Sequence, residues 1–154
     1  MAEEARVDLE ALFRTEGPRL WRALLAYAGD PEIASDALAE AFAQALGRGS
    51  DLRSPSAWTW KAAFRIAAGE LKRRSRMTTL AEERAQAMPE SVRDLVLALQ
   101  RLPAKQRAAV VLHDYADRPT REVAAILGTR AGTVRMHLSQ GRRHLRDLLE
   151  ERDV

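Results

Sequence analysis

The sequence TREVAAILGTRAGTVRMHLSQGRRHLR, residues 120–146, has the pattern of two helices separated by a short turn. Thr120 is suited to cap the first helix, and Glu122 lies near the positive end of its dipole. Gly128 permits the left-handed conformation that commonly ends a helix. Because the second helix is strongly basic, the pair is typical of a helix-turn-helix that reads DNA in the major groove.

The second helix of this pair has an apolar side and a basic side. Residues at steps of four and three form the apolar side, namely Val134, Leu138, Gly141, Leu145 and Leu148. One flanking row contains Arg135, Ser139, Arg142 and Arg146, and Met136, Gln140 and Arg143 lie nearly opposite the apolar side. An isolated arginine-rich helix is more often a solvated face, so the preceding helix and turn decide the interpretation. Arginine and glutamine address base edges, and arginine, serine and threonine hold phosphates.

The composition indicates a folded protein of one ordinary domain or two small ones, with 154 residues and 46% hydrophobic content. The absence of cysteine excludes disulfides, thiolate zinc sites and a cysteine nucleophile, and it fits an intracellular protein. The first residues, MAEEARVDLE, are acidic and lack an apolar secretion core. No run approaches the roughly 18 apolar residues that span a bilayer. We therefore expect a cytoplasmic protein without membrane attachment.

The charges are distributed in blocks, although the net charge of +3 is modest. Residues 1–46 contain four basic and nine acidic residues, whereas residues 47–76 contain eight basic and two acidic residues. A second basic block, residues 120–146, contains six arginines and one glutamate. Two basic blocks separated by a neutral-to-acidic interval are expected in a protein that contacts nucleic acid at two places.

Helical periodicity dominates the chain, and no alternating strand pattern is evident, so the predicted fold class is all-α. A first helix includes residues 9–25, and we expect a kink or an interruption at its Gly17-Pro18 pair because proline removes a backbone donor. Asp30 followed by Pro31 predicts the start of a second helix. The segment 47–52 is expected to end that helix.

Ser54 and Pro55 repeat the same combination of cap and proline, which predicts a long third helix ending in the basic sequence KRRSR. Residues 77–91 lose the apolar pattern and are interpreted as a linker. Beyond it, one helix is expected from Val92 and another from Pro103, and the helix-turn-helix completes a four-helix module. The chain is thus predicted to contain two small helical domains joined by a flexible linker.

Aromatic residues are interleaved with the first basic block, a combination suited to holding a nucleic-acid backbone and stacking exposed bases. Trp58 is assigned to the core, whereas Trp60 is left open between core packing and base stacking. The favoured nucleic-acid contacts in this block are Lys61, Arg65, Lys72, Arg73 and Arg74. The alternative is a solvated helix end whose cations favour the negative end of the dipole.

The chain resembles the extracytoplasmic-function (ECF) group of bacterial RNA polymerase sigma factors over nearly its whole length. GDPEIASDALAEAFAQAL followed by PSAWTWKAAFRIAAGELKRR is similar to sigma region 2. ALQRLPAKQRAAVVLHDYADRPTREVAAILGTRAGTVRMHLSQGRRHLR is similar to sigma region 4. The resemblance implies region 2 in residues 1–76, a linker in 77–91 and region 4 in 92–154. It implies a protein that is no enzyme but binds core RNA polymerase and directs promoter-specific transcription initiation.

The resemblance also implies a role for individual residues. Region 4 would read the −35 element as duplex, with Arg135, Met136, Ser139 and Gln140 facing bases and Arg130, Thr133, Arg142 and Arg143 holding phosphates. Region 2 would trap an unstacked base of the melted −10 element. The residues assigned to this second task are Arg53, Ser54, Ser56, Trp60, Lys61, Arg65, Lys72, Arg73 and Arg74. The polymerase-binding segment would include Asp36, Leu38, Ala39 and Glu40, and the nearby Phe42 is expected in the core.

Two departures from the family pattern limit what the resemblance implies. Ala39 stands where a glutamine usually precedes the acidic residue of the polymerase-binding segment. This keeps open a second hypothesis, a sigma-fold DNA-binding regulator that does not recruit polymerase. Gln140 and Gly141 stand where the family often has arginine and alanine, so the promoter sequence does not follow from the resemblance.

Other classes of function are disfavoured. A dimeric helix-turn-helix repressor would leave region 2 without a purpose, and no heptad seam is evident. An enzyme is disfavoured because His113, His137 and His144 form no ligand or triad pattern. The expected partners are core RNA polymerase and promoter DNA, with an anti-sigma factor as a candidate. No cofactor, metal, small-molecule substrate or membrane partner is expected.

Overall fold

In the computed structural model, which describes residues 2–75 and 88–152, the chain is built from helices, and these residues include no strand. The all-α prediction is confirmed. The first half contains α1 (Ala2–Ala28), α2 (Pro31–Arg48), a 3₁₀ turn (Gly49–Asp51) and α3 (Pro55–Ser75). The second half contains α4 (Glu90–Gln100), α5 (Ala104–Val110) with its π-helical continuation (Val111–Tyr115), α6 (Thr120–Leu127) and α7 (Ala131–Arg152).

Three predicted helix ends are confirmed by local geometry. The Asp30 carboxylate accepts a hydrogen bond from the Glu32 N–H at 2.9 Å, and Pro31 occupies the first helical position of α2. The Ser54 hydroxyl accepts from the Ala57 N–H at 3.4 Å at the start of α3. Gly128 ends α6 with φ 66° and ψ 38°, the left-handed conformation that glycine adopts without strain.

The structure contradicts one expectation about a helix end and bears on two others. Helix α1 runs through Pro18 without interruption, because its missing hydrogen bond is outweighed by the burial of residues such as Leu20 and Leu24. Thr120 is the first residue of α6 and provides no side-chain cap; Pro119 precedes it at the capping position. Helix α4 begins at Glu90, so the last two residues of the segment interpreted as a linker are helical. Residues 77–87 of that linker lie outside the described residues.

The two halves pack on each other and share one buried cluster. Helices α1, α2 and α3 enclose Leu24, Ile33 and Trp60, and the same cluster continues into the second half through Leu112 and Val123. Contacts between the halves join α3 to α6 and α1 to α4. None of the described helices combines the length and hydropathy needed to cross a membrane.

Candidate nucleic-acid interface

Helix α7 presents most of the residues predicted to read the −35 element on its exposed side. Met136 is 49% exposed. The other exposed members of the predicted set are Arg130, Arg135, Ser139, Gln140, Arg142 and Arg143. Thr133 is different, because it lines a cavity of about 790 Å³ between the halves, together with Lys72 of the first half.

Two of these side chains are tied to neighbouring helices. Arg142 donates to both carboxylate oxygens of Asp114, at 2.8 Å and 2.6 Å, and hydrogen bonding to Asp114 raises the pKa of Arg142. The Gln140 amide oxygen accepts from Gln106 at 3.3 Å. Sequence reasoning missed Asp114, because it precedes α7 by a full helix and no local pattern connects the two.

Gly141 allows α5 and α7 to approach closely. A Cβ atom at this position would lie 2.8 Å from a methyl carbon of Val110 and 3.3 Å from the Gln106 carbonyl oxygen. The glycine therefore fixes how the recognition helix is mounted on the second half. Close packing of the two helices is therefore sufficient to explain why a glycine follows Gln140.

Four of the nine predicted −10 residues, Arg53, Ser54, Trp60 and Lys61, line a cleft of about 370 Å³ at the start of α3, and the other five lie outside its lining. Arg53, Ser54 and Lys61 line it from the first half. Its opposite wall comes from the second half, through Arg118, Glu122 and two apolar residues of α6, Ala125 and Ile126. The sequence placed the basic residues of this cleft together, whereas the second-half wall depends on the tertiary fold.

Of the two tryptophans of α3, Trp60 is more deeply buried than Trp58, the one assigned to the core. Trp58, assigned to the core, is only half-buried at its edge, and the guanidinium of Arg48 lies 5.1 Å from its ring centroid. Trp60 is 1% exposed and stacks on Phe64, with ring centroids 6.4 Å apart. Core packing is therefore the observed arrangement of Trp60 in this structure.

A half-buried acid, Glu16, bonds to residues in and beside the cleft. One carboxylate oxygen of Glu16 accepts from the Ser56 hydroxyl at 2.9 Å, from the Trp60 indole N–H at 3.3 Å and from Arg118 at 2.6 Å. Burial of the Glu16 carboxylate raises its pKa, but hydrogen bonds from Arg118 and Ser56 lower the pKa by more. The net result is a pKa below the usual 4.5. Sequence reasoning missed both Glu16 and Arg118.

At the basic end of α3, hydrogen bonds hold Arg73 and Arg74 to a neighbouring carboxylate. Glu70 accepts from both Arg73 and Arg74, and these hydrogen bonds lower the pKa of Glu70 to about 2. Arg74 also reaches the Asp30 carboxylate at 3.1 Å, which joins the end of α3 to the start of α2. Arg74 thus has a structural role here. Arg65 and Lys72 are exposed on the same helix.

The predicted polymerase-binding residues lie on the outer side of α2. Asp36, Ala39 and Glu40 are exposed, and Leu38 is half-buried. Phe42 is buried, as expected, and packs edge-to-face on Phe13 with ring centroids 5.0 Å apart. Beside them lies an apolar groove of about 510 Å³, lined by residues of α1 and α2 that include Leu9, Phe13, Ala39, Phe42 and Leu46.

Two histidines, His113 and His144, lie within hydrogen-bond distance of polar atoms of other residues. The His113 Nδ1 atom lies 2.8 Å from the Arg118 carbonyl oxygen, and the His144 Nδ1 atom lies 3.0 Å from the Gln106 amide oxygen. Across residues 2–75 and 88–152, histidines and carboxylates form no group that could hold a metal ion. The arrangement of the described side chains is suited to binding through charge, stacking and shape.

Residues 92–145 match the family model described as Sigma-70, region 4. The RNA polymerase sigma-E factor of Streptomyces antibioticus is 31% identical over all of this chain and 91% of the relative. The sigma-E factor of Streptomyces avermitilis is 30% identical over all of this chain and 92% of the relative. The ECF RNA polymerase sigma factor SigE of Mycolicibacterium smegmatis is 48% identical over 56 residues, which cover 36% of this chain and 22% of that protein.

Two solved structures share the fold. The sigma factor RpoE in complex with the anti-sigma factor NepR, from Bartonella quintana, superposes with a TM-score of 0.77 at 20% identity, covering 93% of this chain and 97% of that one. CnrH in complex with the cytosolic domain of CnrY gives a TM-score of 0.77 at 21% identity, covering 97% of this chain and 92% of that one. The similarity in fold therefore extends over both halves.

Proposed function

The chain belongs to the extracytoplasmic-function group of RNA polymerase sigma factors, and on this basis we propose that it binds core RNA polymerase and directs promoter-specific transcription initiation. In this proposal, residues 1–76 act as region 2, residues 77–91 as the linker and residues 92–154 as region 4. The observation that carries it is the match to sigma-E factors over the entire chain, with both basic surfaces included.

The exposed side of α7 supports duplex reading of the −35 element. Arg135, Met136 and Ser139 share this side and are exposed, so they can enter a major groove without rearrangement of the helix. Arg143 is placed to hold a phosphate beside the major groove, and Arg130, at the turn before α7, is placed to hold another. Arg142 and Gln140 are the weaker candidates in this set, because both are bonded within the second half.

The cleft at the start of α3 supports capture of the melted −10 element. Arg53 and Lys61 are exposed at its mouth and can attract the backbone of a single strand. Trp60 also lines the cleft, and its ring would offer an aromatic face to an unpaired base once Arg118, which lies 4.0 Å from the ring centroid, moves away. Recognition of an unstacked base at such a site has an energetic cost of a few kcal/mol for opening the duplex.

The outer side of α2 supports polymerase binding. Asp36 and Glu40 give it an acidic character that repels DNA and favours a basic partner surface. The apolar groove beside Ala39 adds contact area at the same place. Because both neighbours of known structure were solved with partner proteins, RpoE with NepR and CnrH with the cytosolic domain of CnrY, we also propose an anti-sigma partner for this chain.

In vitro transcription with purified core polymerase and a genomic promoter pool tests the proposal. We expect promoter-dependent transcripts only when the chain is added, and co-migration of the chain with core polymerase on size exclusion. A double variant of the acidic surface, Asp36→Lys with Glu40→Lys, should lose core binding but keep its fold. Absence of both transcripts and core binding for the native chain would exclude the sigma role.

The second candidate function is a sigma-fold regulator that recruits no polymerase. Its support is the small exposed side chain of Ala39, which can offer no hydrogen bond at the centre of the proposed polymerase surface. This candidate predicts sequence-selective DNA binding without core binding. The same size-exclusion experiment, combined with a DNA-binding assay, distinguishes the two functions.

A further inference from the structure

Helix α6 and the segment before it cover the cleft proposed to capture the −10 element. Arg118 extends from the second half into this cleft and is only 16% exposed. Its guanidinium carbon lies 4.0 Å from the Trp60 ring centroid, and one of its nitrogens lies 2.6 Å from the Glu16 carboxylate. The arginine thus occupies the space directly over the indole ring.

A guanidinium group at this position resembles an unpaired base in shape and in contacts. It is planar and delocalised, and it stacks on aromatic faces as a nucleobase does. The cation also gains from the negative face of the indole ring. A base and Arg118 therefore compete for the same face of Trp60.

We propose that Arg118 is an internal plug that covers the Trp60 ring in the −10 cleft of the free chain and must leave before a melted base can stack there. This inference rests on the proposed −10 function of the cleft and adds a regulatory contact within the same chain. Two states follow: a plugged state with Arg118 on Trp60, and an open state in which a base takes that place.

Glu16 has a role in both states, because it is bonded to Ser56 and Trp60 with or without Arg118. Its carboxylate already holds Ser56 and the Trp60 indole N–H, so these contacts remain when Arg118 departs. The ion pair with Arg118 adds a third partner in the plugged state only. Glu16 therefore helps to hold Arg118 in the plugged state, and its bonds to Ser56 and Trp60 do not have to form again after Arg118 leaves.

The plug is carried by a wider contact between the halves. Gln100 donates to the carbonyl oxygens of Ala26 and Tyr27, at 3.3 Å and 3.1 Å, and Arg107 donates to the Tyr27 carbonyl oxygen at 2.8 Å. These bonds end on backbone groups of α1, which limits how freely the second half can move. Arg118 is therefore presented to Trp60 by a defined surface.

One feature of the plugged state favours reversibility. The Nε atom of Arg118 is buried and has no hydrogen-bond partner among the described residues. An unsatisfied buried donor is energetically unfavourable, so the plugged state is less stable than a fully bonded one. A ligand that offers a complete set of contacts can displace the arginine.

The first test measures exposure of Trp60 in the full chain. Trp21→Phe and Trp58→Phe leave Trp60 as the single tryptophan, and acrylamide quenching reports its accessibility. Arg118→Ala should clearly raise the quenching constant of Trp60. Arg121→Ala is the matched control, because it removes an exposed arginine of the same segment that does not line the cleft. It should leave quenching unchanged.

The second test measures binding of a labelled single-stranded DNA oligonucleotide carrying the −10 non-template sequence of a promoter found in the transcription assay. If the cleft is open in about one free molecule in ten, Arg118→Ala should tighten apparent binding about tenfold. Arg118→Lys keeps the charge but lacks the planar group, so it should also bind more tightly than the native chain. It serves as the main variant if Arg118→Ala fails to fold.

Unchanged quenching and unchanged binding in both Arg118 variants would overturn the plug. Weaker oligonucleotide binding would overturn it as well, because Arg118 would then be a DNA contact. The Trp60 quenching does not depend on sigma activity. A chain that lacks core binding but shows a more accessible Trp60 in Arg118→Ala would refute the proposed function and leave the internal contact established.

Discussion

Arg135 is the residue whose proposed role is most directly testable. It is exposed on α7, and none of the described residues forms a hydrogen bond or ion pair with it in the structure. Arg142, two turns further along the flanking row, is held by two hydrogen bonds to Asp114. Two arginines of the same flanking row therefore differ in their freedom to reach DNA.

We predict that Arg135→Ala costs about 1–3 kcal/mol of binding to a −35 duplex and relaxes sequence preference. The reason is the loss of a bidentate contact to a base edge. Fluorescence anisotropy with the identified duplex and with single-base variants measures both effects. Arg143→Ala is the comparison, because a phosphate contact should weaken binding to all duplexes equally. A uniform loss for Arg135→Ala would reassign it to phosphate binding.

Glu70 gives a pH-dependent prediction at the same scale. Its pKa is lowered to about 2 by Arg73 and Arg74, so the folded state binds the proton less readily than the unfolded chain, where the usual 4.5 applies. The stabilisation is present above pH 4.5 and is lost as the pH falls toward 2. Glu70→Gln should be less stable than the native chain at neutral pH.

Urea unfolding of the native chain and of Glu70→Gln at a series of pH values measures this effect. The difference in the free energy of unfolding should shrink as the pH falls through the window from 4.5 to about 2. A difference that stays constant over this window would mean that the Glu70 charge does not contribute to stability.

At the scale of elements, the mounting of α7 on α5 depends on Gly141. The neighbouring Val110 methyl is part of a stiff, β-branched side chain, so it cannot rotate freely to admit another carbon. A glycine inside a helix is ordinarily unfavourable relative to alanine by roughly 0.5–1 kcal/mol. Close packing of the two helices explains why this one is favourable.

We predict that Gly141→Ala destabilises the protein by about 1 kcal/mol, since overpacking costs about 1–3 kcal/mol and exceeds the gain in helix propensity. Val110→Ala in the same chain should recover part of the loss. Gly69→Ala in α3 is the control, because a Cβ there meets nothing within 4 Å and should stabilise the helix. Denaturant unfolding of all four chains measures the effects. If Gly141→Ala and Gly69→Ala changed the free energy of unfolding equally, the proposed close packing would be excluded.

At the scale of the whole molecule, the two halves are joined by buried polar contacts as well as by apolar packing. Arg107 is 9% exposed and donates to the carbonyl oxygens of Tyr27 and Leu102, at 2.8 Å and 3.3 Å. Its guanidinium also lies 5.3 Å from the Tyr27 ring centroid. A single side chain thereby connects α1 to the second half.

We predict that Arg107→Ala lowers the free energy of unfolding by about 1–3 kcal/mol, because it removes two buried, charge-assisted hydrogen bonds, to the Tyr27 and Leu102 carbonyl oxygens. The loss should also separate the unfolding of the two halves into distinct transitions in calorimetry. Arg101→Ala, at an exposed position in the same half, should change stability by no more than about 0.5 kcal/mol. A single transition with native stability in Arg107→Ala would show that apolar packing alone joins the halves.

Local sequence patterns determined most of the helical architecture. Asp30-Pro31, Ser54-Pro55 and Gly128 encode their helix boundaries through backbone chemistry that operates within a few residues. The spacing of apolar residues assigned Val134 and Leu138 to the buried side of α7, where they lie. The family resemblance, carried by long continuous motifs, was likewise visible before the fold.

Only the tertiary structure decided which polar side chains meet. Glu16 and Arg118 are separated by 102 positions, and nothing near either residue indicates an ion pair. The burial of Trp60 beneath Arg118 has the same origin, since helical spacing identifies a face but not what covers it. Periodicity acts over a few residues, whereas ion pairs and stacking depend on contacts between distant segments. The sequence by itself thus determined the helices and the family, and the packing of the two halves decided which side chains cover Trp60 in the cleft at the start of α3.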